Sequence, residues 1–216
     1  MAKADRNGKR KRRETFSKRQ ADLGRYFIYT DTKETEKQYF YGIRDSLPQE
    51  LKGRLVIQVF QSKTDKLVDD CLQEMSKYPQ YGEPWIVFDR DEVTNFDAII
   101  QKAERSGIRV GWSNPCIEIW FDTYFGAMHS YSTSTECCRK FSETFKQKTG
   151  KEYDKADTKL YTLLKKYGDE AEAIKIAERR WLQHLDECRK KPSQMCPCTT
   201  VHQLVKEISQ KVNGQL

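Results

Sequence analysis

Strand-like and helix-like segments alternate along the first half of the chain, and this order constrains the fold more than any other feature. Runs rich in aromatic and β-branched residues predict strands at 25–30, 54–60, 85–89 and 108–114. Helical patterns begin at about Thr35, at 64–78 after a cap at Thr64 or Asp65, and after Thr94 or Asn95. Strand-then-helix units in series predict an α/β fold: a central, mostly parallel sheet of about four strands, flanked by helices on both faces.

The second half of the chain changes character from Cys116 onward, where helical patterns continue without a convincing strand. These patterns cover 117–126, 136–150, 170–191 and 200–212. We therefore predict three regions: a basic flexible arm (1–22), an α/β core (23–128) and a helical lobe packed on that core (129–216).

The composition is that of a soluble protein, with 33% charged and 37% hydrophobic residues. No stretch approaches the ~18 consecutive apolar residues of a membrane span, and no signal peptide is recognisable at the N-terminus. We therefore expect a cytoplasmic protein that has no membrane partner.

The formal net charge is +7, and the segment GKRKRR at 8–13 contributes five positive charges. Such a run is typical of a solvated arm and equally of an arm that contacts phosphates, and the two interpretations are compatible. The candidate nucleic-acid-binding residues are Lys9, Arg10, Lys11, Arg12 and Arg13.

The seven cysteines have no regular spacing, which favours reduced thiols in a reducing compartment. A zinc cluster could be drawn from Cys137 and Cys138, or from Cys196 and Cys198 with Cys188 nearby. These spacings match none of the usual paired zinc-ligand patterns, so scattered structural thiols are the favoured interpretation.

Carboxylates follow two of the predicted strands. Asp31 ends the first strand, and Asp89 and Asp91 end the third, in the segment WIVFDRDE. The carboxyl ends of parallel strands meet at one edge of a sheet, and two residues two apart in extended backbone share a face. Clustered carboxylates repel one another unless a cation lies among them, and Mg²⁺ prefers such oxygen ligands. The structural alternative is that Asp89 caps the next helix and that Asp91 and Glu92 are solvated turn residues.

Glu118 lies in SNPCIEIWF (113–121), surrounded by apolar residues. Pro115 suits the first turn of a helix, which would place Glu118 one turn in. A carboxylate in such surroundings needs a partner. In a structural role, Glu118 would pair with a lysine or a backbone amide. In a functional role, it would be a further metal ligand or a base. His129 follows this segment and could approach the site, whereas His184 and His202 read as surface or packing residues.

Four segments in this order resemble the RloB-like family: 28–44, 85–92, 113–121 and 199–208. Those proteins are found beside type I restriction-modification loci and in abortive-infection systems of the AbiL kind, and they are a branch of the Toprim superfamily. The resemblance implies a Toprim-like core and Mg²⁺ (or Mn²⁺) bound by Asp31, Asp89 and Asp91. The family pattern Thr-Glu followed by an aromatic pair matches Thr35, Glu36, Tyr39 and Phe40. Asp31-Thr32 stand where Glu-Gly is expected.

The resemblance and the acidic residues together predict a Mg²⁺-dependent nuclease acting on DNA or RNA, transfer RNA included, as the effector of an anti-phage abortive-infection system. Asp31, Glu36, Asp89, Asp91 and Glu118 are its candidate catalytic residues. An AAA-type ATPase encoded nearby is the partner that the resemblance implies. The alternative is a non-catalytic protein that binds nucleic acid or nucleotide, partners an ATPase and has a degenerate Toprim site; a plain structural adaptor is a third, weaker interpretation.

Overall fold

One five-stranded sheet organises the chain, which the computed structural model describes for residues 23–31, 34–52, 55–77, 82–91, 93–131 and 133–214. The strands are β1 (Gly24–Thr30), β2 (Leu55–Gln61), β3 (Gly82–Asp89), β4 (Arg109–Asn114) and β5 (Cys198–Thr199). The predicted basic arm, with Lys9, Arg10, Lys11, Arg12 and Arg13, lies outside the described residues, as do Thr32 and Glu92.

The helices are α1 (Thr35–Asp45), α2 (Leu67–Lys77), α3 (Phe96–Arg105), α4 (Glu118–Thr123), α5 (Ser134–Thr149), α6 (Leu160–Tyr167), α7 (Glu170–Asp186) and α8 (Val201–Asn213). Short 3₁₀ turns lie at Thr64–Lys66 and Pro192–Gln194. The helix predicted over 64–78 thus begins as a 3₁₀ turn and becomes α-helical only from Leu67. In the described part of the chain, no helix has both the length and the apolarity for a membrane crossing.

The strands lie in the order β2-β1-β3-β4-β5, and all pairs are parallel except β4 with β5. The predicted α/β fold with a mostly parallel sheet is therefore confirmed. The prediction of no strand in the second half was wrong, because β5 pairs with β4. A strand of two residues is too short to show an alternating pattern in the sequence. Threonine hydroxyls help to hold it beside β4: Thr200 Oγ1, directly after β5, accepts from the Trp112 amide (2.9 Å).

Both faces of the sheet are buried, because helices cover each of them. Along β1, Tyr26 and Ile28 point into the apolar cluster beneath α1 and α4–α8. Phe27 and Tyr29 point into the opposite cluster, beneath α2 and α3. This alternation explains why β1 reads as a continuous apolar run rather than an alternating one.

Candidate active site

The carboxyl ends of β1 and β3 are neighbours in the sheet, and they bring the predicted acidic residues to one edge. Asp89 is the last residue of β3, and Asp31 directly follows β1. The two strands pair in parallel as far as Thr30 and Val87. Asp31, Asp89 and Asp91 line one cleft of about 510 Å³, which we call the acidic cleft.

Asp89 is held by a backbone amide from the neighbouring strand-to-helix connection. Its Oδ2 accepts a hydrogen bond from the amide of Ile117 (3.0 Å). Its Oδ1 is buried and has no hydrogen-bond partner among the residues that the structure describes. Burial, together with the charges of Glu36 and Glu118, raises the pKa of Asp89 well above its usual range. Because α3 begins after Asn95, the alternative that Asp89 caps that helix is wrong.

Asp91 lies in a turn rather than in extended backbone, so the expected strand geometry at this position is wrong. Its φ is 21°, a value at the edge of the left-handed region, where aspartate is found more often than most residues. The amide of Asp91 donates to the Pro115 carbonyl (3.1 Å). The carboxylate Oδ1 accepts from Ser134 Oγ on α5 (2.5 Å), and this contact directs it into the acidic cleft.

Asp31 contacts the segment that follows β2. Thr64 Oγ1, expected as a helix cap, instead donates to Asp31 Oδ2 (3.1 Å). Asp31 also lines a second, more open depression of about 470 Å³ with Lys63 and Asp65. This carboxylate therefore lies between two adjoining clefts.

Glu36 is fully buried in the first turn of α1. Burial, followed by the nearby charge of Asp31, raises its pKa from 4.5 to about 8. The charge of Glu118 acts in the same direction. Together with Asp89, these residues form an interacting group of four carboxylates around the acidic cleft, which we call the carboxylate cluster: Asp31, Glu36, Asp89 and Glu118.

Glu118 is the first residue of α4, not a residue one turn into the helix. Its side chain is 1% exposed, and its Oε1 accepts from the Tyr153 hydroxyl (3.0 Å). Lys155 Nζ lies 3.4 Å from the same oxygen. The expected lysine partner is thus present. It comes from the α5–α6 connection, where no local pattern singles out Tyr153 or Lys155.

Two cysteines complete the cleft wall. Cys116 and Cys138 both line the acidic cleft, with their sulfur atoms 4.0 Å apart. The less favoured zinc interpretation of the sequence paired Cys138 with Cys137 and did not include Cys116. Within the described ranges, the one group of three or more ligand-type side chains that meets at a point is Cys116, Glu118 and Cys138. The Cys188, Cys196 and Cys198 alternative does not form such a group there.

The histidines of the described ranges do not line the acidic cleft. His129 Nδ1 is 2.8 Å from Asp122 Oδ2, and the ring does not line the acidic cleft as the described residues define it. His184 and His202 are buried, which confirms the packing interpretation. Burial lowers the pKa of His202 to about 4, so this ring is neutral at physiological pH.

Basic side chains surround the acidic residues. Lys155 lines the acidic cleft, Lys63 lines the depression beside Asp31, and Arg90 lines a third of about 610 Å³ beside Asp91. Val93 borders all three. The three depressions thus adjoin and form one groove along the carboxyl edge of the sheet.

Comparison with known proteins identifies one family. A family model described as RloB-like protein matches residues 26–208 of the 216-residue chain. Neither the curated proteins nor the solved structures gave a match. The matched range includes every residue of the carboxylate cluster.

Proposed function

The chain belongs to the RloB-like protein family, and we propose that it is a Mg²⁺-dependent nuclease of the Toprim type, which hydrolyses phosphodiester bonds in DNA or RNA. The observation that carries the proposal is the carboxylate cluster. Four acidic side chains, from the residue that follows β1 and from α1, β3 and α4, interact at the carboxyl edge of the sheet, where ligands of open parallel sheets bind.

The donor type suits a hard divalent cation, although in the described part of the chain these carboxylate oxygens do not all lie within 4.8 Å of one another and would have to move closer around an ion. Asp31, Asp89 and Asp91 offer carboxylate oxygens to one cleft, and such oxygens are the preferred ligands of Mg²⁺ and Mn²⁺. Asp89 Oδ1 is buried and lacks a hydrogen-bond partner in the described part of the structure. A buried carboxylate oxygen of this kind is stabilised by a cation. We therefore assign Asp31, Asp89 and Asp91 as the residues that would hold the metal.

The remaining residues set the charge and position of the site. A bound Mg²⁺ would supply an activated water and stabilise negative charge on phosphate oxygens. Glu36, whose pKa is about 8, holds a proton near neutral pH and releases it when positive charge enters the cluster. Glu118, anchored by Tyr153 and Lys155, adds a further negative charge behind the cleft.

The groove also offers phosphate-binding groups. Lys63, Arg90 and Lys155 flank the acidic residues at three points along it. Within the described ranges, neither Lys63 nor Arg90 forms an ion pair, so both side chains can meet a phosphate. This arrangement supports a nucleic acid as substrate, bound through its backbone rather than its bases.

The biological setting follows from the family resemblance alone. We propose that the nuclease acts as the effector of an anti-phage abortive-infection system in the cytoplasm, with an AAA-type ATPase as its partner. The basic segment at 8–13 would add sequence-independent attraction to phosphates.

A second candidate function is binding without catalysis. It is favoured by Asp31, which is one methylene shorter than the glutamate expected there and is engaged by Thr64. In this alternative, the carboxylate cluster is a degenerate Toprim site and nucleic acid binds independently of Mg²⁺.

A cleavage assay separates the two functions. Purified protein is incubated with supercoiled plasmid, single-stranded DNA and total transfer RNA in Mg²⁺, Mn²⁺ or EDTA. Asp89→Asn is the test variant, because asparagine still accepts from the Ile117 amide. Asp69→Asn, an exposed position on α2, is the matched control. We expect metal-dependent cleavage that is lost in D89N and kept in D69N. Cleavage that persists in D89N would overturn the nuclease proposal. So would nucleic-acid binding in EDTA combined with no cleavage of any substrate in Mg²⁺ or Mn²⁺.

A further inference from the structure

Two thiols and a carboxylate meet at one wall of the acidic cleft. Cys116 lies in the turn between β4 and α4, and Cys138 lies on α5. Their sulfur atoms are 4.0 Å apart, and one ligand atom each of Cys116, Glu118 and Cys138 lies within 4.8 Å of the others. We propose that these three residues bind a thiophilic divalent cation, with Zn²⁺ as the representative ion.

The spacing of the sulfur atoms matches tetrahedral coordination. With Zn–S bonds of about 2.3 Å, two thiolate ligands of a tetrahedral ion lie about 3.8 Å apart. The observed 4.0 Å needs almost no rearrangement. A disulfide has a sulfur–sulfur distance of about 2.05 Å. The two cysteines are therefore free thiols in hydrogen-bond contact, at a separation that a shared metal ion could also span.

The ligand types select the kind of metal. Thiolates prefer Zn²⁺ and other thiophilic ions, whereas Mg²⁺ and Ca²⁺ prefer oxygen ligands alone. The pair of thiols therefore separates this site chemically from the oxygen donors Asp31, Asp89 and Asp91. The two sites share the acidic cleft but take different ions.

The charges of the bound state would be nearly balanced. On binding, the two thiols would release their protons to solvent, and the two thiolates and one carboxylate would then carry three negative charges, of which a divalent ion balances two. Lys155 Nζ lies 3.4 Å from Glu118 Oε1 and supplies a further positive charge. The Tyr153 hydroxyl donates to the same oxygen, and this contact holds the Glu118 carboxylate beside the two thiols.

The position in the cleft leaves room for a fourth ligand. Both cysteines line the acidic cleft, and three protein ligands with one open position are the pattern of zinc sites that bind water or a substrate group. Cys137, which is fully buried next to Cys116, is not part of the ligand group. The fourth position would therefore be left to water or to a substrate group in the cleft.

The site can be tested with Co²⁺ and Cd²⁺, whose thiolate complexes absorb light through sulfur-to-metal charge transfer. The reduced full-length protein is titrated with each ion in the presence of excess Mg²⁺, which should not compete. We expect one equivalent to saturate the absorption band. Cys116→Ser and Cys138→Ser should each weaken binding about tenfold or more, and Cys188→Ser, at an exposed cysteine, should leave it unchanged. No band in the wild type, or equal loss in C188S, would overturn the proposal.

A second measurement avoids the question of whether the serine variants fold. The wild-type protein is alkylated with and without one equivalent of Zn²⁺, and the modified cysteines are located by mass spectrometry. Zn²⁺ should protect Cys138, which is more accessible than the buried Cys116, and leave the exposed Cys188 reactive. Protection of Cys188 alone, or of none, would contradict the assignment. This result is independent of the nuclease proposal, because it does not require cleavage and is expected in D89N as well.

Discussion

The carboxylate of Asp89 accepts a hydrogen bond from the amide of Ile117, with a distance of 3.0 Å between Oδ2 and the nitrogen. Asp89 ends β3, whereas Ile117 immediately precedes α4, whose first residue is Glu118. This bond ties the acidic end of one strand to the helix that follows the neighbouring strand. It keeps Asp89 close to Glu118 in spite of their repulsion. Burial, followed by the charges of Glu36 and Glu118, raises the pKa of Asp89, whereas the bond from Ile117 acts in the opposite direction.

Replacement of Glu36 by glutamine should stabilise the metal-free protein at alkaline pH. The pKa of Glu36 is raised from 4.5 to about 8 by burial and by Asp31. The unfolded chain therefore loses this proton at a lower pH than the folded protein does. The contribution of the protonated carboxyl to the free energy of unfolding is complete below pH 4.5 and is lost as the pH rises through about 8. Glu36→Gln should be more stable by about 2–5 kcal/mol above pH 8, a difference that vanishes towards pH 4.5.

Urea unfolding in EDTA across this pH range measures the effect. Glu34→Gln, at an exposed position just before α1, is the control and should change stability by less than about 0.5 kcal/mol. A difference between E36Q and the wild type that does not depend on pH would contradict the assignment of a protonated Glu36.

The Ser134 hydroxyl should strengthen metal binding by orienting Asp91. It donates to Asp91 Oδ1 (2.5 Å), and loss of such a supporting contact typically weakens metal affinity by about 10–100-fold. Because Asp91 is exposed, we expect the loss of metal affinity in Ser134→Ala to be near the lower limit of this range. The stability of the metal-free protein should change little. Thr135→Ala, at the next position of the same cleft wall, is the control for a Mg²⁺ titration. Equal affinities of the two variants would exclude a role for Ser134.

The Tyr153 hydroxyl should contribute measurably to stability, because its partner is buried. Its ring packs between Phe141 and Phe145, and its hydroxyl donates to Glu118. Tyr153→Phe keeps the ring but removes one donor to a buried carboxylate, which should cost about 1–3 kcal/mol in free energy of unfolding. Denaturant unfolding at neutral pH gives the value. Tyr167→Phe, at an exposed ring, should change it by less than about 0.5 kcal/mol, and equal effects would argue against the buried contact.

A methyl group at Gly42 should destabilise the protein, although alanine is the better helix former. A Cβ at this position would lie 2.5 Å from Tyr161 Cβ, where α1 and α6 pack together. Overpacking of this kind typically costs about 1–3 kcal/mol, against a helix-propensity gain of about 1 kcal/mol. Thermal unfolding of Gly42→Ala should show a lower midpoint. A higher midpoint would mean that α1 and α6 can move apart to accept the methyl group without a loss of stability.

The sheet could be predicted from sequence because its strands are buried on both faces and read as continuous apolar runs. The segments that became β1 and β3 were recognised in this way, and Asp31 and Asp89 followed from their ends. The carboxylate at Glu118 was recognisable because it stands among apolar neighbours. In each case the signal lies within a few residues of the feature that it predicts.

The features that sequence reasoning missed depend on contacts between distant segments. Lys155 and Tyr153 reach Glu118 from 37 and 35 positions further along the chain, as the residue numbers show. Cys116 and Cys138 meet only because α5 folds back over the start of α4. The turn at Asp91 was mistaken for extended backbone, since its conformation is set by Pro115 and Ser134 rather than by its neighbours.

The central claim, that Asp31, Asp89 and Asp91 hold Mg²⁺ in the acidic cleft, is tested most directly by the free energy of unfolding as a function of Mg²⁺ concentration. A ligand that binds only the folded protein stabilises it by about 2.7 kcal/mol at one hundred times its Kd. We predict this increase for the wild type and for D69N, and none for D89N. No stabilisation of the wild type, or equal stabilisation of D89N, would contradict the account.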